Sequence, residues 1–272
     1  MLRLSLKKIG FVLLIALAGV LSIAACSSWP QRQFLYFPQP KTVPTPTLTL
    51  ATEAGDVLVS VRERSGENAL IYFGGNADDV SRSLASLAAD FPDYALYLPH
   101  YRGYGGSAGT PSEDALTRDA LALYERVRVQ HSHIVVIGYS LGSGIAVRLT
   151  HQKPVARLVL VSPYDSILNV ARHHFPALLA ALLLRDKYES WRYTPQITTS
   201  TLILMAERDN VIPNERSVAL YKTFRKGVAL LETIPEQGHG SISWHPKYGE
   251  LLRSFINGMP GSAGETPALP GF

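Results

Sequence analysis

Short, uninterrupted apolar runs separated by helix-like segments are the feature that most constrains how this chain can fold. The clearest runs are IVVIG, LVLVS and TLILMA. Such runs, which lack a polar residue at every second position, are typical of strands buried on both faces of a parallel sheet. The sequence predicts eight strands, which are Thr47–Leu50, Asp56–Arg62, Ala69–Phe73, Ala95–Pro99, His133–Ile137, Arg157–Val161, Thr201–Ala206 and Val228–Ile234.

Helix-like segments lie between these strands. The predicted helices are Val80–Phe91, Ser112–Val129, Gly142–Thr150 and Asn214–Lys222. Repeated strand–helix units indicate an α/β fold in which a mostly parallel, eight-stranded sheet carries helices on both faces. A length of 272 residues suits one such domain, and no long insertion interrupts the pattern, so we expect little or no cap. Active sites in this architecture lie beyond the carboxyl ends of the strands.

The N-terminus has the pattern of an export signal. Three basic residues and no acidic residue accompany a long apolar stretch that ends in IAAC, where the cysteine is Cys26. IAAC resembles the lipobox of bacterial lipoproteins, and Cys26 is the only cysteine in the chain. We therefore expect residues 1–25 to be a signal peptide and Cys26 to be lipidated. An uncleaved transmembrane anchor is the alternative.

The residue after the cysteine bears on location. Ser27, and not Asp, follows Cys26, and in lipoproteins resembling those of Gram-negative bacteria this favours the outer membrane. We therefore expect a lipid-anchored protein of the cell envelope that faces the periplasm. The expected membrane contact is the lipid on Cys26.

Composition divides the rest of the chain into three parts. Residues 26–46 are polar and proline-rich apart from an aromatic cluster, which predicts a lipidated tether that docks onto the domain. Residues 47–257 carry the strand–helix pattern and form the predicted α/β domain. Residues 258–272 are rich in Gly and Pro without periodicity, which indicates a disordered tail.

The charge balance argues against nucleic acid as a partner. The formal net charge is +4, but without residues 1–25 the chain has 23 basic and 22 acidic residues. Binding to phosphates requires a basic face, and no basic run appears later in the sequence.

A candidate nucleophile stands between a predicted strand and a predicted helix. GYSLG at residues 138–142 fits the pattern G-x-S-x-G. This context is that of a nucleophile elbow, a tight turn that exposes a serine hydroxyl above the carboxyl end of the sheet. Flanking glycines let the strained turn form without side-chain clashes. Ser140 is therefore the candidate nucleophile.

The other candidate catalytic residues follow later strands. A serine hydroxyl needs a base to take its proton and an acid to orient that base. In sheets of this kind the order along the chain is Ser, then Asp or Glu, then His. Asp209 follows the run TLILMA, and His239 lies in a glycine-flanked loop after the last predicted strand. Glu207 and Asp165 are alternative orienting acids, and Asp165 is the more serious of the two.

Acyl transfer also requires N–H donors for the negative charge that develops on the carbonyl oxygen. One candidate is the backbone N–H of Leu141, directly after Ser140. The other is the backbone N–H of Asn76 in the GGNA loop at residues 74–77, where glycines allow a close approach. A simple strand-to-helix turn is the alternative explanation of that loop.

Six segments, taken in order, carry a resemblance to a known family. FGGNADDV, LPHYRGYGGSAGTPSEDAL, IGYSLGSGIAV, LVSPYDSI, ERDNVIP and QGHG together resemble the branch of α/β-hydrolases that includes the bud-emergence-type proteins and the α/β-hydrolase-domain depalmitoylases. The resemblance covers roughly residues 34–257. It implies the α/β-hydrolase fold and a serine hydrolase that cleaves a small acyl ester or thioester with Ser140, Asp209 and His239, without a metal or cofactor.

Two positions depart from that family. It usually has His-Gly-Asn where this chain has GGN at residues 74–76, and Asp before the Tyr-Arg-Gly-Tyr-Gly loop where this chain has His100. Both departures bear on the rigidity and charge near the pocket, and neither removes a triad residue.

Other classes of function fit these residues less well. A nucleotide site at residues 103–106 lacks the pattern G-x-G-x-x-G. A metal hydrolase could use His131 with His133, or His173 with His174, but neither pair has a convincing third ligand. A serine peptidase or amidase, and a non-catalytic binding protein that keeps the fold, remain open. No oligomeric state is predicted.

Overall fold

The computed structural model describes residues 35–174 and 184–258, which contain one eight-stranded sheet. Its strands are β1 (Thr47–Leu50), β2 (Val57–Arg62), β3 (Asn68–Phe73), β4 (Ala95–Pro99), β5 (His133–Tyr139), β6 (Arg157–Val161), β7 (Thr201–Ala206) and β8 (Ala229–Ile234). They are ordered β1-β2-β4-β3-β5-β6-β7-β8 across the sheet. The pairs that include β1 or β2 are antiparallel, and the other pairs are parallel. The predicted mostly parallel, eight-stranded sheet is confirmed.

Six α-helices lie in the described residues. They are α1 (Leu84–Asp90), α2 (Glu113–Val127), α3 (Leu141–Gln152), α4 (Ile167–His174), α5 (Asn214–Tyr221) and α6 (Pro246–Asn257). Short 3-10 helices lie at Val80–Ser83, Ser190–Arg192, Thr194–Gln196 and His239–Trp244. The predicted helix Val80–Phe91 is therefore a 3-10 turn followed by α1, while α4 and α6 are additional to the predicted helices.

Helix α6 has an amphipathic pattern that could have been found in the sequence. Leu252 and Ile256 are buried, and Tyr248, Leu251 and Phe255 pack against the same apolar cluster. These residues recur at intervals of three and four, which places them on one face of a helix.

The apolar core lies on both faces of the sheet, because successive side chains of β3 point to opposite faces and are buried on each. Ile71 and Phe73 belong to an apolar cluster that includes buried residues of α2, α3 and α5. Leu70 and Tyr72 point to the opposite face, where the second cluster includes buried residues of α1 and α6. Because side chains alternate along a strand, residues apolar at every position must be covered on both sides. The predicted helices on both faces are thereby confirmed.

A buried ion pair fixes the loop after β4, which we call the tyrosine loop (residues 101–106). The Arg102 guanidinium donates to Asp119 Oδ1 of α2 at 2.6 Å, and these side chains are only 5% and 9% exposed. Arg102 also donates to Ala54 O and Thr52 Oγ1, at 2.7 and 2.8 Å. One side chain therefore joins the β1–β2 turn, the tyrosine loop and α2.

Arg102→Ala should lower the free energy of unfolding by about 3–5 kcal/mol, because it leaves the Asp119 carboxylate buried without its charged partner. Arg64→Ala is the matched control, since Arg64 pairs with Asp93 and both side chains are well exposed. The control should change stability by about 1 kcal/mol or less. Urea denaturation measures both variants, and equal losses would contradict the prediction.

Several predicted segments lie outside the described residues. These are the signal peptide at residues 1–25, Cys26 with the first part of the tether, and the tail after Gly258. Within residues 35–174 and 184–258, no helix has the length and apolar character needed to cross a bilayer.

Candidate active site

The turn that carries Ser140 joins β5 to α3. The backbone of Ser140 has φ 51° and ψ −117°, a strained conformation for a residue with a side chain. Close packing explains the flanking glycines. A Cβ at Gly142 would lie 2.1 Å from Phe73 O, and one at Gly138 would lie 2.7 Å from Ala146 Cβ. The turn therefore has the geometry of a nucleophile elbow at the carboxyl end of the central strand.

Ser140, His239 and Asp209 form a continuous hydrogen-bonded chain. His239 Nε2 lies 2.9 Å from Ser140 Oγ. On the other side of the ring, His239 Nδ1 lies 2.8 Å from Asp209 Oδ2 and 3.0 Å from Oδ1. The three residues follow β5, β8 and β7, so three separate strand ends bring them together.

The surroundings of Asp209 favour its ionised form. Its side chain is 2% exposed, and burial alone would raise the pKa of Asp209. Hydrogen bonds from His239 and from the backbone N–H groups of Ile212 and Val211 outweigh burial and hold that pKa below its ordinary value. An ionised carboxylate here holds the Nδ1 proton of His239 and leaves Nε2 free to accept a proton.

Tyr139 fixes the His239 loop from the side. Its ring stacks on the His239 ring with centroids 5.4 Å apart, and its hydroxyl donates to His239 O at 2.7 Å. Tyr139 is the residue before Ser140, so the elbow itself positions the His239 loop. The sequence gives this residue no role, because its contact spans a hundred positions along the chain.

The alternative orienting acids lie elsewhere. Asp165 Oδ2 accepts hydrogen bonds from Asn169 at 2.6 Å and from Arg216 at 3.4 Å. Glu207 Oε2 accepts from the backbone N–H of Glu236 at 2.7 Å. In the described part of the chain, neither carboxylate is hydrogen-bonded to His239, and the geometry favours Asp209.

The two candidate oxyanion donors lie beside the elbow. Leu141 is the first residue of α3, and the first N–H groups of a helix have no intrahelical acceptor. The loop that contains Asn76 packs against the same turn, since a Cβ at Gly75 would lie 3.1 Å from the Tyr139 ring and 3.7 Å from Ser140 Cβ. Both predicted N–H groups are thus carried by segments that touch Ser140.

The tyrosine loop holds the loop of Asn76 in place, a role that is not among the predictions from the sequence. Tyr101 donates to Gly74 O at 2.7 Å, and Tyr104 donates to Asn76 Oδ1 at 2.9 Å. Both tyrosines are buried, and their rings meet edge to face. The sequence signal that could have indicated this role is the family-specific YRGYGG motif, whose two tyrosines are Tyr101 and Tyr104.

The structure accounts for both departures from the family pattern. A Cβ at Gly74 would lie 2.5 Å from Val80 Cγ1 and 2.8 Å from Asp78 Oδ2, so a larger residue does not fit there without rearrangement. His100 is buried and hydrogen-bonds Ser60 Oγ at 2.9 Å. Burial lowers the pKa of His100, which favours its uncharged form.

The free energy of unfolding should fall as the pH drops below about 6.5, the value for an unfolded histidine. Because burial lowers the pKa of folded His100, the unfolded chain binds the proton first, so this contribution is complete above that pH and declines below it. Urea denaturation at about pH 7.5 and about pH 5.5 measures the decline. The variant His100→Gln cannot take up the proton, so its free energy of unfolding should fall less between these two pH values. Equal declines would contradict the prediction.

Three of the four histidines that are candidate metal ligands contact other groups. His131 hydrogen-bonds Tyr97 at 3.1 Å and Gly66 O at 2.7 Å. His133 packs against the Tyr94 ring, and His173 faces Glu215 at 3.7 Å. Residues 35–174 and 184–258 contain no group of three side chains that could hold a metal ion.

Known proteins share this sequence pattern. A family model for the alpha/beta hydrolase fold matches residues 68–187. An uncharacterised protein of Mycobacterium tuberculosis is 33% identical over 230 residues, covering 77% of this chain and 80% of the relative. The alpha/beta hydrolase domain-containing protein aho-3 of Caenorhabditis elegans is 31% identical over 194 residues, covering 69% of this chain and 57% of that protein.

A solved structure shares the fold. The esterase Pf2001 of Pyrococcus furiosus superposes with a TM-score of 0.66 at 17% identity, covering 82% of this chain and 97% of that one. The sheet order, the elbow and the sequence matches agree with one another. This chain belongs to the α/β-hydrolase superfamily.

Proposed function

We propose that this protein is a serine hydrolase that cleaves acyl esters or thioesters through an acyl-enzyme intermediate. The observation that carries the proposal is the hydrogen-bonded chain from Ser140 Oγ through His239 to Asp209. In such a chain, His239 can take the proton of the hydroxyl while Asp209 stabilises the imidazolium that forms. The fold by itself would not be evidence for this activity, because proteins with many different functions share it.

The reaction proceeds in two halves. Ser140 Oγ attacks the acyl carbonyl carbon while its proton passes to His239 Nε2. The tetrahedral intermediate collapses, the bond to the leaving alcohol or thiol breaks, and His239 returns the proton to that leaving group. Water then attacks the acyl-enzyme with His239 again as base, and the carboxylic acid leaves as Ser140 Oγ is reprotonated.

Charge on the carbonyl oxygen is stabilised by the backbone N–H groups of Leu141 and Asn76. Donors that are already oriented require no reorganisation when the charge develops, which is why such sites contribute strongly to rate. The amino terminus of α3, which begins at Leu141, adds a favourable electrostatic field at the same point.

The test is a panel of substrates on the full-length protein, in parallel with labelling by a fluorophosphonate. The panel contains p-nitrophenyl esters of graded chain length, an acyl thioester and a peptide amide. We expect turnover of the esters or the thioester, and labelling that Ser140→Ala abolishes. Turnover of the amide alone would indicate a peptidase or amidase instead. Absence of labelling and of all turnover would indicate a non-catalytic binding protein.

We propose further that a lipid on Cys26 anchors the protein to the cell envelope, at the outer membrane. The support is the sequence IAAC after an apolar, positively flanked segment. Cys26→Ser should prevent lipidation and move the protein out of the membrane fraction, while esterase activity of the folded domain persists. Mass spectrometry of the mature membrane-bound protein checks this, and an unmodified Cys26 would contradict it.

A further inference from the structure

The segment before β1, which we call the N-terminal strap (residues 36–43), is fixed to the domain at both ends. At one end Tyr36 is buried, and its hydroxyl meets Tyr188 at 2.8 Å and Asp186 Oδ2 at 3.0 Å. At the other end the backbone N–H and hydroxyl of Thr42 both donate to Asp79 Oδ2 at 2.6 Å. The strap is therefore bound at one end to the segment before the 3-10 helix at Ser190–Arg192, and at the other end to the last residue of the loop that follows β3.

Between these two ends the strap meets the side chain of Asn76. The backbone N–H of Phe37 donates to Asn76 Oδ1 at 3.0 Å. The Tyr104 hydroxyl donates to the same oxygen at 2.9 Å. The strap also accepts a hydrogen bond from the tyrosine loop, from Gly105 N to Gln39 O at 2.9 Å. One carboxamide oxygen thus joins the strap, the tyrosine loop and the loop of Asn76.

We propose that the side chain of Asn76 is a positioning group for the oxyanion site, and that the strap and Tyr104 hold it there through Asn76 Oδ1. The backbone N–H of the same residue is the oxyanion donor assigned above, so this inference rests on the proposed function. It adds two groups from outside the triad, the backbone N–H of Phe37 and the hydroxyl of Tyr104, to those that affect the rate of the acyl-transfer step; the side chain of Phe37 has no part in it.

The physical reason is that an oxyanion donor is useful only when it is held in place. A donor N–H must lie within a few tenths of an ångström of its working position. The two residues before Asn76 are Gly74 and Gly75, which have no side chains to restrain the loop. Hydrogen bonds restrain the loop instead: those that Asn76 Oδ1 accepts, the one from Tyr101 to Gly74 O, and the one from the Gly75 backbone N–H to the Asp78 carboxylate. A carboxamide oxygen with two donors in fixed places cannot rotate freely.

A purely structural role for these contacts predicts a different result. If the strap only packs against the domain, its loss should lower stability and leave turnover of the folded protein unchanged. If it positions the oxyanion donor, its loss should lower kcat and leave KM nearly constant, because the donor acts mainly in the transition state. Measuring kcat, KM and the thermal midpoint for each variant separates the two roles.

Substitutions in the full-length protein remove each donor to Asn76 Oδ1. Tyr104→Phe deletes one donor, and Tyr124→Phe is its control, because the Tyr124 hydroxyl donates to Pro154 O away from the elbow. Phe37→Pro deletes the other donor, and Phe37→Ala is its control, because it keeps the backbone N–H. We expect Tyr104→Phe and Phe37→Pro each to lower kcat about tenfold and to leave KM within about twofold of wild type. Removal of a whole oxyanion donor lowers kcat by about 10²–10³, and a donor that is only misplaced should cost less. The kcat of each control variant should stay within about threefold of wild type, which is a smaller loss than misplacement of an oxyanion donor should cause.

A double-mutant cycle tests whether Tyr104 acts through Asn76. Asn76→Leu preserves the size of the side chain and removes its acceptor oxygen. The double variant Tyr104→Phe/Asn76→Leu should turn over no more slowly than Asn76→Leu alone, because both substitutions remove the same hydrogen bond. Additive losses in kcat would mean that Tyr104 acts elsewhere.

The inference is overturned if Tyr104→Phe and Phe37→Pro keep wild-type kcat, or if Tyr124→Phe loses as much kcat as Tyr104→Phe. Ser140→Ala is measured in the same assays. If wild type is active and Ser140→Ala is not, the proposed function stands whatever the Asn76 variants show. If wild type itself is inactive and unlabelled, the proposed function fails, and the inference fails with it.

Discussion

Ser140→Ala and His239→Ala should each lower kcat by on the order of 10³ or more, measured with an ester that the wild type hydrolyses. Ser140→Ala removes the attacking oxygen, and His239→Ala removes the group that lies 2.9 Å from it and takes its proton. The double variant should lose little beyond either single variant, because nucleophile and base act as one unit.

Folding must be checked for the same variants. Ser140→Ala removes one hydroxyl in a turn already formed by close packing of Gly142 against Phe73 O, so its thermal midpoint should stay close to that of wild type. A loss of kcat at unchanged stability supports the chemical role. Full activity of Ser140→Ala on a confirmed substrate would show that the whole mechanism is wrong.

Asp209→Asn should lower kcat by roughly 10²–10⁴, with a smaller effect on KM. The carboxylate now accepts from His239 Nδ1 and from the backbone N–H groups of Val211 and Ile212. An amide cannot accept at both of its terminal atoms, so it favours the imidazole tautomer with the proton on Nε2. That tautomer cannot accept the proton of Ser140.

Asp165→Asn is the matched control for this second experiment. It alters an acid that follows the neighbouring strand and whose hydrogen-bond partners are Asn169 and Arg216. Its kcat should stay within about threefold of wild type, a small effect beside the loss expected for the orienting acid. If Asp165→Asn abolished activity while Asp209→Asn preserved it, the orienting acid would be Asp165 and the enzyme class would survive.

Much of the fold could be predicted because its signals are local. Four of the eight strands have the predicted bounds, and the others differ by one or two residues at an end, as in β5, which continues to Tyr139. Ser112 caps α2, where its hydroxyl accepts from Ala115 N at 3.2 Å. Such caps and apolar runs depend on neighbouring residues, so they can be read from the sequence alone.

The part of the site that depends on chain order and on position after a strand could be predicted from the sequence. Ser140, Asp209 and His239 were assigned from their order and placement, and the structure brings these three together. The choice between Asp209 and Asp165 needed geometry, because both follow a buried strand. The roles of Tyr104 and Phe37 depend on contacts between distant segments, and no spacing in the sequence indicates which hydroxyl meets Asn76.

The position of His239 after β8 has a consequence for biosynthesis. The proposed nucleophile, Ser140, emerges from the ribosome about a hundred residues before the proposed base, His239. A nascent chain that ends within β7 already contains the elbow sequence but has no group to take the proton of Ser140. Under the proposed mechanism, a chain that is still being translated therefore lacks a complete triad, and hydrolysis can begin only after the segment that carries His239, beyond β8, has been made and folded.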